Sequence, residues 1–323
     1  MFNRFNRPLE RAELVLLPNL KHLKYLLALH KHQNFNRAAE ACYVSQSTLS
    51  SAIIKLEEQL TCQLIERDHK AFIFTPQGEV VVAMAQKLLV SAQELMDYGK
   101  QQGDPASGSV RIGCIPTIAP YLLTDLVKQC RQVLPGLDLY LREDSTDNLL
   151  AMLAGGEIDT AILALPVADH NFRSKVVGRD AFYIAGDAEL VKLYAKDMDY
   201  QQLPQQSIFL LTHEHCLTEH AVSACQLADS SRINHFSASS LATLVQMTAY
   251  HKGFTFLPEM AVKKSLGVAE GLTIKALSPD VYREIGLLWR PTSLRQQTFL
   301  HLAQILEQLL APAENSAKAA KAE

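Results

Sequence analysis

Two cysteines, Cys216 and Cys225, stand nine residues apart in the segment His213-Glu214-His215-Cys216-Leu217-Thr218-Glu219-His220-Ala221-Val222-Ser223-Ala224-Cys225, which reads as helical. Along a continuous helix that spacing means a rise of roughly 13 Å and nearly opposite faces, whereas a disulfide needs Cα atoms within roughly 7 Å. The pair can join only if its own segment refolds, so it reads as a redox switch. The other four cysteines, Cys42, Cys62, Cys114 and Cys130, form no CxxC and no Cys/His arrangement at zinc-ligand spacing. They read as small core residues, and no structural metal or organic cofactor is expected.

The chain that must position this pair has 323 residues, 48% of them hydrophobic and 20% charged, enough for two domains with full cores. The N-terminus lacks an apolar leader with a cleavage site, and no apolar run approaches the roughly 20 residues that span a bilayer. The cytoplasm is therefore the expected location, where a thiol pair rests reduced. Residues 1–74 carry ten Lys/Arg against seven Asp/Glu, which leaves the remainder at −6 within a net charge of −3. A basic head on an acidic body suits a nucleic-acid partner.

The head has its own local order. Leu20, Leu23, Leu26, Leu27 and Leu29 recur at helical spacing, and Asn36 is placed to cap a short second helix through Cys42. A turn at Tyr43-Val44 follows. Ser45 stands at a cap position before Gln46 to Leu60, where Leu49, Ile53, Leu56 and Leu60 make one apolar stripe. Helix, tight turn, helix is the helix-turn-helix arrangement, and the small hydrogen-bonding residues opening its second helix suit a major groove. Arg67-Asp68-His69-Lys70 with Phe72-Ile73-Phe74 read as a wing. Thr75 can then cap a helix with Pro76 at its first position, whose period in Val80, Val81, Met84, Leu88, Leu89, Ala92 and Leu95 runs to the break at Gln102-Gly103-Asp104-Pro105.

From Leu20 to Gly78, in "NFNRAAEACYVSQSTLSSAIIKLEEQL" and "LIERDHKAFIFTPQGE", the chain resembles the DNA-binding domain of LysR-type transcriptional regulators. The resemblance implies that Arg37, Ser45, Gln46, Ser47, Thr48, Ser50, Lys55 and Lys70 lie in or beside the DNA surface. It also implies that the long helix is a dimerising linker, so that a homodimer or homotetramer meets a two-fold related operator in double-stranded DNA. Ser47 stands where many relatives have proline. Ile54 stands where a basic residue is common, which removes a possible phosphate contact.

Strand and helix alternate in the body. Val110 to Ile115, Leu137 to Glu143, Ile158 to Ala164, Ser207 to Leu211 and Gly253 to Leu257 read as strands of a parallel sheet, with helices from Leu122 to Leu134 and from Asp147. A strand at Arg283 to Arg290 before a last helix would return the chain to its first lobe. The expected fold is α/β: a winged helix-turn-helix domain over 1–75, a linker helix and hinge over 76–106, and a two-lobed regulatory domain over 107–312 that resembles periplasmic binding proteins. Residues 313–323, rich in Ala, Lys and Glu, read as poorly ordered.

The stretches "GCIPTIAPYLL", "STDNLL", "HCLTEHAVSAC", "HFSASSLATL" and "IGLLWRP" resemble the hydrogen-peroxide sensors among these regulators. That resemblance implies a peroxidatic Cys216, a resolving Cys225, and Thr117, Thr146, His215 and Arg290 around the sulfur, with His235 nearby. A cation beside a thiolate lowers its pKa, and hydroxyls can hold peroxide against it. Oxidation to a sulfenic acid, disulfide closure and reduction by glutaredoxin or thioredoxin would follow. The refolded segment would respace the DNA heads and engage RNA polymerase. Glu214 stands where such sensors usually have glycine, and facing the sulfur it would raise the thiol pKa. Other readings are a LysR-type regulator answering a small molecule in the interlobe cleft, and a thiol peroxidase, which the DNA-binding head opposes.

Overall fold

The computed structural model describes residues 17–67, 72–100, 104–167, 171–194, 203–212, 217–218, 230–268, 270–278 and 281–311. The chain forms two units, Met1–Met96 and Asp97–Glu323.

In the first unit local caps set the helix starts. Helix α1 (Leu20–His32) begins where Asn19 accepts the Lys21 N–H at 2.9 Å, and it buries Leu23, Leu26 and Leu29. Helix α2 (Phe35–Ala41) is capped by Asn34, which accepts the Arg37 N–H at 3.0 Å, and not by Asn36. A capping side chain reaches the second or third N–H ahead, and Asn36 already lies inside the helix. Tyr43, at φ 56°, makes the left-handed turn. Ser45 then caps α3 (Gln46–Leu60) by accepting the Thr48 N–H at 3.2 Å, and Leu49, Ile53 and Leu56 are completely buried against α1 and α2. Strands β1 (Ile65–Arg67) and β2 (Phe72–Phe74) pair antiparallel as the wing.

Thr75 Oγ1 accepts the Gly78 N–H at 2.9 Å and opens α4 (Pro76–Lys100), as its Thr-Pro start predicts. A Cβ at Gly78 would lie 2.2 Å from the Leu64 carbonyl oxygen, so only glycine allows this approach. Val81, Val82, Ala85 and Leu89 pack on the head, while Val80, Met84, Leu88 and Leu95 remain 51–66% exposed.

The second unit holds two cores on one strand path. In the first lobe β3 (Ser107–Cys114) lies between β4 (Gly136–Glu143) and β5 (Thr160–Leu165), all parallel, with α5 (Ala119–Val133) and α6 (Thr146–Ala154) as crossovers. The parallel expectation holds again where Ile208–Leu211 pairs with Ile233–Ala238 and Phe254–Pro258, but it fails just beyond β5. Its next neighbour, β11 (Tyr282–Trp289), is antiparallel to it and also to β6 (Arg173–Gly186). Strand β6 is shared: its first part pairs with β11, and its last residues pair with β9 (Phe254–Pro258) and β10 (Thr273–Ala276). The second lobe adds β7 (Ile208–Leu211), β8 (Ile233–Ala238), α7 (Ala188–Tyr194), α8 (Leu241–Tyr250) and α9 (Glu259–Lys263) around its own core. The last helix, α10 (Gln296–Leu310), buries Phe299, Leu302 and Leu306 in the first lobe, so the chain does return there.

Candidate functional site

On the head, burying Leu49, Ile53 and Leu56 turns the opposite face of α3 outward. Gln46, Ser47, Thr48 and Lys55 are exposed there, with Ser45 just before the helix, Arg37 exposed on α2 and Ser50 half-buried. The Ser45 hydroxyl lies 2.9 Å from Ser47 Oγ and 2.7 Å from Thr48 Oγ1, so three hydroxyls are linked at the start of the helix. Lys70 lies outside the described residues. A helix start bearing small donors and acceptors, with a lysine on the same outer face, can meet base edges and phosphates.

In the regulatory unit the chemistry collects at the carboxyl ends of the first lobe's strands. Cys114 and Glu143 are register partners at the ends of β3 and β4. Thr117 and Thr146 each follow three residues later, which brings both loops to the same edge. The strand order reverses at β3, and in open α/β sheets ligands bind outside such a switch point. Thr117 is buried, and its hydroxyl accepts from Arg283 Nη1 at 2.8 Å while its carbonyl accepts from Nη2 at 3.0 Å. A guanidinium only donates, so the Thr117 proton is left free to donate elsewhere. Thr146 opens α6, and its hydroxyl oxygen is closed off from solvent without a hydrogen-bond partner among the described residues.

Arg283 and its partner Asp180 escaped the sequence reading. The Arg283 side chain is wholly buried and lies 2.9 Å from Asp180 Oδ2, and Asp180 Oδ1 accepts the Met260 N–H at 3.0 Å. Burial pushes the Asp180 carboxyl above the ordinary aspartate value, and Arg283 pulls the other way. The cluster joins the loop after β3, strand β6 and the start of α9, and so spans both lobes. Beside it lies a cavity of about 280 Å³ lined by Tyr121, Asp125, Arg179, Met260 and Lys264.

Residues 20–79 match the bacterial regulatory helix-turn-helix proteins of the lysR family, and residues 103–311 match the LysR substrate binding domain. The chain belongs to the LysR family of transcriptional regulators. It is 35% identical to the HTH-type transcriptional regulator EstR of Acinetobacter baylyi, over 91% of this chain and 98% of that protein. It is also 35% identical to the hydrogen peroxide-inducible genes activator of Escherichia coli O157:H7, over 89% of this chain and 94% of that one. The reduced regulatory domain of OxyR2 from Vibrio vulnificus is 48% identical and covers 64% of this chain and 98% of its own, with a TM-score of 0.62.

Within this LysR-family fold Arg290 does not share a pocket with the threonines, a correction to the sequence reading. Trp289 pairs with Thr160, the first residue of β5, whereas Glu284 pairs with Leu165, the last. Arg290 therefore sits at the amino ends of the strands, roughly 24 Å along β11 from Arg283. It donates to the Leu153 and Ile158 carbonyls at 2.6 and 2.8 Å, at the far end of α6 from Thr146. His235 is exposed on the edge strand β8.

His215, Cys216 and Cys225 lie outside the described residues, as do Glu214, His213 and His220. The residues on either side of 213–216 are anchored: Leu211 and Leu217 are buried in the second lobe, and Thr218 Oγ1 donates to the Leu211 carbonyl at 3.0 Å. Cys114 and Cys130 are core residues. Burial pushes both thiols up, Cys130 to about 11, which keeps them protonated and unreactive. No described helix is long and apolar enough to cross a membrane.

Proposed function

We propose that this LysR-family regulator answers hydrogen peroxide through a reversible disulfide between Cys216 and Cys225 and controls antioxidant genes. The observation that carries the reading is the Thr117 hydroxyl, held as an acceptor by buried Arg283 with its proton free at the carboxyl edge of the sheet. The Thr146 hydroxyl, without a partner among the described residues, stands at the start of α6 after the neighbouring strand. Hydrogen peroxide has two O–H donors and two acceptor oxygens, so it suits a pair of hydroxyls with His215 and His235 contributing from the second lobe. Solved variants of the Vibrio vulnificus domain replace a glutamate by glycine and, two positions on, a cysteine by serine. Glu214 and Cys216 have the same spacing, which supports Cys216 as the reacting residue.

The Cys216 thiolate attacks one peroxide oxygen and the O–O bond breaks. The departing hydroxide takes a proton and leaves as water, and the sulfur becomes a sulfenic acid. Cys225 then displaces the sulfenic hydroxyl as a second water, so that two thiols and one peroxide give one disulfide and two waters. A dithiol reductant such as glutaredoxin or thioredoxin reverses the step. Refolding between the two cysteines changes the second lobe and thereby the spacing of DNA heads in a homodimer or homotetramer paired through the apolar face of α4. The altered arrangement engages RNA polymerase.

The test is peptide mapping of the reduced protein before and after a low peroxide dose, with promoter footprints on the same samples. A Cys216–Cys225 disulfide with a changed footprint is the expected result, and reduced Cys216 with an unchanged footprint overturns the reading. The equal identity to EstR and the cavity at the lobe junction favour a second reading, a small-molecule effector. A Cys225→Ser variant that responds normally to peroxide in cells would select it.

A further inference from the structure

We propose that a notch between α1 and α3 binds one phosphodiester of the DNA backbone, with the Tyr25 hydroxyl and the His22 ring as donors beside Lys21 and Lys55. The notch has a volume of about 390 Å³ and is lined by Lys21, His22 and Tyr25 from α1 and by Ser47, Ser51 and Lys55 from α3. None of its lining residues is acidic. Tyr25 is only 3% exposed, yet its hydroxyl has no hydrogen-bond partner among the described residues, and neither has His22 Nδ1. A polar atom closed off from water and left unpaired costs free energy, which an incoming acceptor recovers.

The electrostatics point the same way. Lys21 Nζ lies 6.0 Å from the centre of the Tyr25 ring. The His22 ring is held below the ordinary histidine value, first by burial and then by Lys55 and Lys21, so the fields of both lysines converge on the notch. A phosphodiester carries one negative charge and accepts hydrogen bonds without donating any, which matches two cations and two idle donors. The notch adjoins the exposed opening of α3, so a recognition helix lying in the major groove would bring flanking backbone to α1. The site thus rests on the DNA-binding reading of the head. It adds α1 as the element that fixes the depth and register of α3 in the groove.

The experiment uses the full chain and a duplex that the protein itself selects from a random pool. Single phosphates in that duplex are replaced one at a time by uncharged methylphosphonate, and affinity is measured for wild type, Tyr25→Phe and Lys21→Gln. One position per half-site should weaken wild type by ~3–10-fold, and the same replacement should cost Tyr25→Phe much less. Lys21→Gln should lower the slope of log affinity against log salt by about one, equally on selected and unrelated duplexes. Failure to select any duplex sinks the DNA-binding reading itself. Normal selection with no position coupled to Tyr25, and an unchanged salt slope in Lys21→Gln, sinks the notch alone. Inorganic phosphate that raises the melting temperature of DNA-free wild type but not of Tyr25→Phe, without coupling on DNA, would assign the notch to a free anion and overturn the proposal.

Discussion

Strand β11 carries a buried arginine at one end and a second just beyond the other, and they do different work. Arg283 is held by the carboxylate of Asp180 and by both oxygens of Thr117, groups from separate elements that meet at the lobe junction. Arg290 donates to the Leu153 and Ile158 carbonyls, and its distance to Asp159 Oδ1 is 4.0 Å. Arg290 adds a donor to one carbonyl in the last turn of α6 and to one just after the helix, a local contact within one lobe. Arg283 fixes a hydroxyl at the sheet's carboxyl edge and ties both lobes to it. Two residues of one type at the two ends of one strand thus differ in consequence because of what the chain brings to them.

Replacing Arg283 by methionine should sharpen that contrast most. Asp180 would be left as a buried carboxylate without its counter-charge, and breaking such a pair costs about 3–5 kcal/mol. Urea unfolding of the regulatory unit measures it, and Arg283→Met combined with Asp180→Leu should recover much of the loss. Equal losses in the single and double variants would mean that the pair's charges do not matter. Arg290→Met should cost less, about 2 kcal/mol, because it removes a donor from two carbonyls while the nearby Asp159 carboxylate keeps Arg111. On the peroxide reading, its rate of oxidation should stay near wild type. A slow reaction in Arg290→Met with a normal one in Arg283→Lys would reverse the assignment.

These arginines also mark where sequence reasoning works and where it stops. The Ser45 cap and the Thr75-Pro76 start were legible because a cap is decided within three residues of chain. The error at Asn36 against Asn34 is one of placement within the same local rule. The alternation from β3 to β5 was legible for the same reason, each strand carrying its own apolar run. Strand β6 was not: its opening Arg173-Ser174-Lys175 is polar, and only pairing with β11, more than a hundred residues later, makes it a strand. Arg283 was hidden likewise, since its partners Thr117 and Asp180 are 166 and 103 residues away. One signal was available. An arginine at the edge of an apolar strand and an aspartate before Ala181-Phe182-Tyr183-Ile184 are charges where burial is expected, and buried charges come in pairs.

Thr117→Val separates positioning from packing at the Arg283 end. It keeps the volume and removes the hydroxyl that accepts from Arg283, so stability should fall by only about 1 kcal/mol. On the peroxide reading, oxidation of Cys216 should slow by about tenfold or more, since a donor placed beside the reacting oxygen is lost. Stopped-flow oxidation followed by thiol labelling gives the rate. If Thr117→Val is destabilised yet reacts at the wild-type rate, the Arg283 cluster holds the lobes and does nothing for the chemistry.

The smallest effect tests whether the lobes are tied mainly by the buried pair or also by surface charge. Lys264, just after α9 in the second lobe, meets Asp125 of α5 in the first lobe at 2.8 Å, with both side chains partly exposed. Such a pair contributes at most ~1 kcal/mol, so Lys264→Ala should barely move the urea midpoint at neutral pH. Its mark is on the acid side. The hydrogen bond from Lys264 holds the Asp125 carboxyl below the ordinary aspartate value. A carboxyl depressed in the folded state adds stability that is present above its unfolded pKa and is lost as pH falls through the folded one. Between roughly pH 4 and pH 2 the variant should therefore lose stability slightly less steeply than wild type, a difference that moderate salt narrows because the pair is screened. An Arg283→Met variant should keep this acid-side difference intact. Its disappearance there would mean that the surface pair forms only after the buried cluster has brought the lobes together.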